Sequence, residues 1–186
     1  MSTTFAPAIR TDSEPRRSVD AGLELVSRAR TISSQVTVRV LIANQQPIVR
    51  HGLRAVIASE PDLQVVGEAD DGGEAVRIAR QLRPNVVLID LSIPTVDGIS
   101  ATRMIRAERR DTQVVVTSGV DADAAAIEAI RAGAAAYLLK DSRIDELLGA
   151  IRGAGAGQVA LPAQMVTRWP VWCGDITSSR IVRPRF

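Results

Sequence analysis

Four polar groups of different chemistry close apolar runs along this 186-residue chain. Asp90 ends Val86-Val87-Leu88-Ile89-Asp90, and Ser118 ends the run from Gln113. Asn44-Gln45 follow the run Thr37 to Ala43, and Lys140 follows Ala136 to Leu139. A carboxylate facing the chain's only lysine makes a neutral pair. The two amides offer oxygens to a cation but bring no charge. Taken singly, an aspartate at a strand end is more often a turn or cap residue, and a lysine is a solvated surface group by default. Placement at the ends of different strands is what sets these residues apart.

Five apolar runs of strand length recur, the fifth being Leu63 to Ala69, and helix-period segments separate all of them. Continuous β-branched runs alternating with amphipathic helices predict a parallel sheet buried on both faces. In such a sheet the ligand crevice lies outside the carboxyl ends of the strands, where the strand order reverses. Asn44, Asp90, Ser118 and Lys140 can therefore meet despite their separation in sequence.

The intervening segments carry ordinary helix signals. Pro47 suits a first turn whose apolar face is Val49, Leu53, Val56 and Ile57, broken by Glu60-Pro61-Asp62. A second helix is predicted from Gly73 to before Pro84 and a third after Asp97-Gly98. A fourth is predicted over Asp121 to Ala132 with Gly133 as its C-cap, and a fifth over Ile144 to Arg152. The run from Gly153 to Gly157 reads as a linker, and it lacks the Lys-Ser/Thr ending of a phosphate loop.

Composition narrows the class further. Hydrophobic residues make up 46% of the chain and the formal net charge is +2. That charge is too small to indicate a nucleic-acid partner by itself. No apolar stretch approaches the roughly 20 residues of a membrane span. The amino terminus has no signal-peptide core, and Asp12, Glu14 and Asp20 oppose a transit peptide. A single cysteine, Cys173, cannot form an internal disulfide, which agrees with a reducing, cytoplasmic compartment.

Three regions are expected. Residues 1–35, rich in Ser, Thr, Pro and Arg, read as a tail in which Val19, Leu23 and Val26 have the spacing of a short helix. Residues 36–153 form the globular unit. Residues 154–186 read as linker and irregular tail, lacking the periodicity of a helix-turn-helix. Arg180, Arg183 and Arg185 at its end read as a solvated terminus.

The globular unit resembles a response-regulator receiver domain of two-component signalling, closest to the subfamily that usually carries a C-terminal LuxR-type helix-turn-helix. The resemblance rests on Val38-Arg39-Val40-Leu41-Ile42-Ala43, Gln46 to Leu53, Val65 to Ala69, Val87-Leu88-Ile89-Asp90, Ile93-Pro94-Thr95-Val96-Asp97-Gly98, Ala132-Gly133-Ala134 and Tyr137-Leu138-Leu139-Lys140-Asp141. These stretches keep the family's order and spacing. The resemblance implies an α/β, flavodoxin-like doubly wound five-stranded parallel sheet of order 2-1-3-4-5 with helices on both faces.

It also implies roles. Asp90 matches the phosphoacceptor, Ser118 the hydroxyl that contacts the phosphoryl group, Lys140 the lysine that pairs with it, and Tyr137 the aromatic switch position. Thr117 would take the hydroxyl role if the fourth strand were offset by one. Asn44 and Gln45 depart from the pattern, because the family usually has two acids there. Those acids, the acceptor and a backbone carbonyl two residues beyond it would hold Mg²⁺, which wants oxygen ligands in octahedral geometry. The expectation is no cofactor, a lost or weak Mg²⁺ site and a direct Asp90–Lys140 ion pair.

The expected function is an atypical receiver in a phosphorelay, with weak or absent phosphorylation of Asp90 and output by protein–protein contact. A sensor histidine kinase or another signalling protein is the expected partner. Homodimers are expected through helix 4, strand 5 and helix 5 or through helices 1 and 5. No specific nucleic acid and no membrane are expected. The alternative is a DNA-binding LuxR-type transcriptional regulator with a truncated output domain. An aspartyl phosphatase on the same fold would want a second acid two residues after the nucleophile, where Ser92 stands, so no enzyme is expected. His51, the only histidine, has no partner for a zinc site and reads as a helix-surface residue.

Overall fold

The computed structural model describes residues 37–119 and 123–159. The tails, with the Val19–Leu23–Val26 spacing, Cys173 and the terminal arginines, lie outside the described residues.

Five strands, β1 (Val38–Ala43), β2 (Leu63–Ala69), β3 (Val86–Asp90), β4 (Gln113–Ser118) and β5 (Ala136–Leu139), alternate with five helices. These are α1 (Pro47–Ala58), α2 (Gly72–Leu82), α3 (Gly98–Glu108), α4 (Asp123–Arg131) and α5 (Ile144–Gly155). All pairings are parallel and the order is β2-β1-β3-β4-β5. The order reverses at β1, so the crevice between the ends of β1 and β3 receives the loops after both strands.

Alternation along each strand sorts side chains into two cores. Leu41, Val87, Ile89, Val114, Val116 and Tyr137 pack with Ala75, Val76 and Ala79 of α2, Ala101 and Ile105 of α3, and Ala126 and Ala129 of α4. Val40, Ile42, Val86, Leu88 and Val115 pack with Ile57 of α1 and with Leu148, Ile151 and Ala154 of α5. β3 is buried along its whole length, which is why it reads as an unbroken apolar run rather than an alternating one.

Local signals fix the helix ends. Asp71 caps α2 by accepting from Glu74 N at 2.7 Å. Asp97 caps α3 by accepting from Ile99 N and Ser100 N at 3.0 and 2.9 Å. Gly133 follows α4 with φ 100°, as expected of a C-cap. β1 starts at Val38 rather than Thr37, and α2 starts at Gly72 rather than Gly73. The larger correction concerns the expected linker: α5 continues through Gly153, Ala154 and Gly155. Ala154 is buried, and Gly155 sits so close to β1 that a Cβ would stand 2.9 Å from two methyls of Val38. Packing against β1 and Ile57 thus overrides the low helix propensity of the two glycines. The α4 residues expected before Asp123 are outside the described set.

Candidate functional site

The loops after β1, β3, β4 and β5 bring the polar strand-end residues together. Asp90 is fully buried. Its Oδ2 accepts from Lys140 Nζ at 2.7 Å and from Asn44 Nδ2 at 3.1 Å, while Oδ1 accepts from Ser92 N at 3.2 Å. Lys140 keeps 35% of its side chain exposed. The ion pair therefore spans the boundary between core and water, and two neutral N–H donors share the carboxylate's remaining charge.

The two amides each have a defined role. Asn44 is buried, and its Oδ1 accepts from Gln46 N at 2.8 Å, so its Nδ2 is the atom that faces Asp90. Gln45 Nε2 donates to Ser92 O at 3.2 Å. Ser92 is thus held from both sides, by its N–H on Asp90 and by its carbonyl on Gln45.

Hydroxyl positions follow from strand alternation. Thr117 Oγ1 donates across to Ile89 O at 3.3 Å. Ser118, also buried, points to the opposite face, the one that carries Tyr137, and Ser118 O accepts from Lys140 N at 2.8 Å. Tyr137 lies inside the core with Val114, Val116 and Ala129. Asn44, Gln45, Asp90, Ser92, Ser118 and Lys140 thus converge at one end of the sheet, with Tyr137 in the core beneath. His51 is exposed on α1.

Two supports escaped the sequence reading. Arg50 Nη1 donates to Asn44 O at 2.6 Å, and its Nε lies 3.6 Å from Glu68 Oε2. An arginine one turn into α1, six residues after Asn44, is the signal that would have found it. The loop after β3 is also compressed. A Cβ on Gly98 would stand 2.6 Å from Asp90 O, and one on Gly72 would stand 1.8 Å from Val96 O. Only glycine allows the backbone to approach that closely. Within this loop Thr95 takes φ 68°, a left-handed conformation that β-branched residues rarely adopt.

Among the nearby carboxylates, Asp97 is held below the usual range, first by the Ser100 hydroxyl and then by the Ser100 and Ile99 amides. Among the described residues no three His, Cys, Asp or Glu side chains are grouped to hold a metal ion.

Comparison with known proteins turns this geometry into a family assignment. The family described as "Response regulator receiver domain" matches residues 40–152, a span that runs from β1 into α5 and contains every pocket residue. The chain belongs to that family. It is 41% identical to the Bacillus subtilis transcriptional regulatory protein LiaR, over 69% of this chain and 61% of that protein. It is 41% identical to YxjL of the same organism, over 65% of this chain and 56% of that protein. The chain therefore spans little more than half the length of these curated relatives. Among solved structures, a LuxR-family two-component response regulator from Aurantimonas sp. SI85-9A1 superposes with TM-score 0.67 at 37% identity, covering 70% of this chain and 94% of that one. Receiver domains of this family are generally not enzymes and typically interact with sensor histidine kinases. No helix among the described residues is long and apolar enough to cross a membrane.

Proposed function

We propose that this receiver is an atypical cytoplasmic signalling module whose Asp90 accepts a phosphoryl group weakly and without help from a metal ion, and whose output is contact with other proteins. One observation carries the reading. The carboxylate and the carbonyl that the family resemblance assigns to Mg²⁺ each accept an amide N–H, Asp90 Oδ2 from Asn44 and Ser92 O from Gln45.

Both amides thus donate to groups that a cation would need as ligands. Mg²⁺ demands a near-ideal octahedron of oxygens at about 2.0–2.1 Å. The pocket offers one carboxylate, already paired with Lys140, and amides that turn nitrogen rather than oxygen toward it. The residues present do not fit the ion. A pocket with two fewer negative charges also has less need of one, because Lys140 alone offsets Asp90.

In this reading Asp90 is the nucleophile, Lys140 offsets charge on the incoming phosphoryl group, Ser118 contacts it and Tyr137 is the switch residue. A sensor histidine kinase or other phosphodonor protein is the partner. Output runs through α4, β5 and α5 or through α1 and α5, including homodimers formed there. Without a metal the transition state forgoes several kcal/mol of stabilisation, so phosphorylation is slower by about two orders of magnitude or more. Intact-mass analysis after acetyl phosphate treatment, with and without Mg²⁺, tests this. Slow modification with little magnesium dependence is expected, and rapid stoichiometric magnesium-dependent modification would sink it.

The names of LiaR and YxjL as transcriptional regulatory proteins favour a second reading, in which the receiver serves a DNA-binding regulator. Discrimination of a defined duplex from random sequence by about a hundredfold at physiological salt would establish that reading.

A further inference from the structure

The helices run antiparallel to the strands, so α2 and α3 finish at the amino end of the sheet, opposite the pocket. Hydrogen bonds tie their ends into one surface. Arg39 on β1 donates Nη1 to Arg83 O at 3.0 Å, Thr112 Oγ1 donates to Pro84 O at 2.9 Å, and Arg106 Nη1 donates to Thr112 O and Arg110 O at 2.7 and 2.6 Å. Arg39, Arg83, Arg106, Arg109 and Arg110 are thereby gathered at one end of the molecule.

Among the described arginines elsewhere on the domain, all but Arg103 and Arg131 are paired with carboxylates. Arg50 and Arg54 pair with Glu68, Arg77 with Glu74, Arg143 with Asp145, and Arg152 with Glu60 and Asp62. Among the described residues, none of the five gathered arginines has a carboxylate within salt-bridge distance. Glu108 at the same end is already held by Arg80. Burial pulls the Arg106 guanidinium below the usual arginine value, with only partial relief from Asp111. Such concentrated, unpaired charge destabilises the free domain and is relieved by an anionic partner.

We propose that this surface docks an acidic segment of a partner protein. Guanidinium forks bind carboxylates bidentately, and Arg39 and Arg106 each spend one arm on backbone carbonyls, one for Arg39 and two for Arg106, which fixes the rest of the fork. Next to the cluster, one turn back on α3, Met104 is 41% exposed beside Arg103 and Ala107, an apolar patch with a cationic rim of the kind protein interfaces use. Nucleic acid fits less well. The only Phe, Tyr or Trp among the described residues, Tyr137, is buried and cannot stack on a base.

The test uses the full chain and a fluorescent oligo-glutamate peptide at low and physiological salt, read by anisotropy. Random-sequence duplex DNA and phosphatidylglycerol vesicles serve as competing anionic surfaces. Arg83→Gln/Arg110→Gln is expected to weaken peptide binding about tenfold, while Arg54→Gln/Arg143→Gln, which removes the same charge elsewhere, changes it less than about twofold. If the first variant proves misfolded by circular dichroism, Arg110→Gln alone, at an exposed position, reads the same effect at smaller size. Absence of peptide binding, equal weakening by both pairs, or tighter binding of DNA or vesicles than of peptide would overturn the proposal.

Discussion

Asp90 and Lys140 form one ion pair but live in different solvents, and that asymmetry decides how each mutant behaves. Removing Asp90 leaves an ammonium that water still reaches, together with a buried Asn44 amide that has lost its acceptor. Asp90→Ala is expected to destabilise by about 1 to 3 kcal/mol, and Asp90→Asn by less, because its amide oxygen still accepts from Lys140. Lys140→Met instead strands a fully buried carboxylate on two neutral donors, and is expected to lose about 3 kcal/mol or more. Urea denaturation of both single mutants and the double mutant gives the coupling energy. A coupling near zero, or an Asp90→Ala protein more stable than its parent, would contradict the neutral-pair reading. The same chemistry predicts the converse substitution. Asn44→Asp with Gln45→Asp replaces two donors with two carboxylates, and titration calorimetry is expected to detect Mg²⁺ binding that the parent lacks.

At the scale of elements, the loop between β3 and α3 carries the clearest strain. Thr95 holds φ 68° in a loop pinned on both sides: Gly98 is pressed onto Asp90 O, Gly72 onto Val96 O, and Gly72 N donates to Pro94 O at 3.2 Å. A left-handed non-glycine residue costs about 1 to 3 kcal/mol. Thr95→Gly is expected to raise stability by about 1 kcal/mol after the greater chain entropy of glycine is counted. A denaturation midpoint at or below the parent's would show that the loop bears no such strain. The elements themselves were legible in the sequence, since buried parallel strands write themselves as continuous β-branched runs and Pro47, Asp97 and Gly133 mark helix ends. The convergence of Asp90, Asn44 and Lys140 was legible because each terminates a strand of one sheet. What escaped was whatever depends on tertiary contact alone. The extra turn of α5 exists because Ala154 and Gly155 find β1, and neither the amide-to-Ser92 bond nor the strain at Thr95 has a local signature.

Across the whole molecule, carboxylates held by arginine or by helix amides make stability depend on acid. Arg152 ties α5 to the turn after α1 through Asp62 at 2.7 Å and Glu60 at 2.6 Å. Its side-chain hydrogen bond holds Asp62 below its ordinary value. Asp97 at the start of α3 is lowered by Ser100, and Glu108, which joins α3 to α2, by Arg80. A carboxylate with a depressed folded-state pKa contributes stability that is complete above its unfolded value of about 4 and is lost as pH falls through the folded value. The urea midpoint is therefore expected to hold steady from neutrality to about pH 5 and to fall steeply below about pH 4. Asp62→Asn removes one of these protonation sites. That variant is expected to start from a lower midpoint at neutral pH, to lose less on acidification, and to converge on the parent at the acid end. Parallel curves for parent and variant would place the acid sensitivity elsewhere and leave the Asp62–Arg152 clasp without a measurable share in holding α5 to the fold.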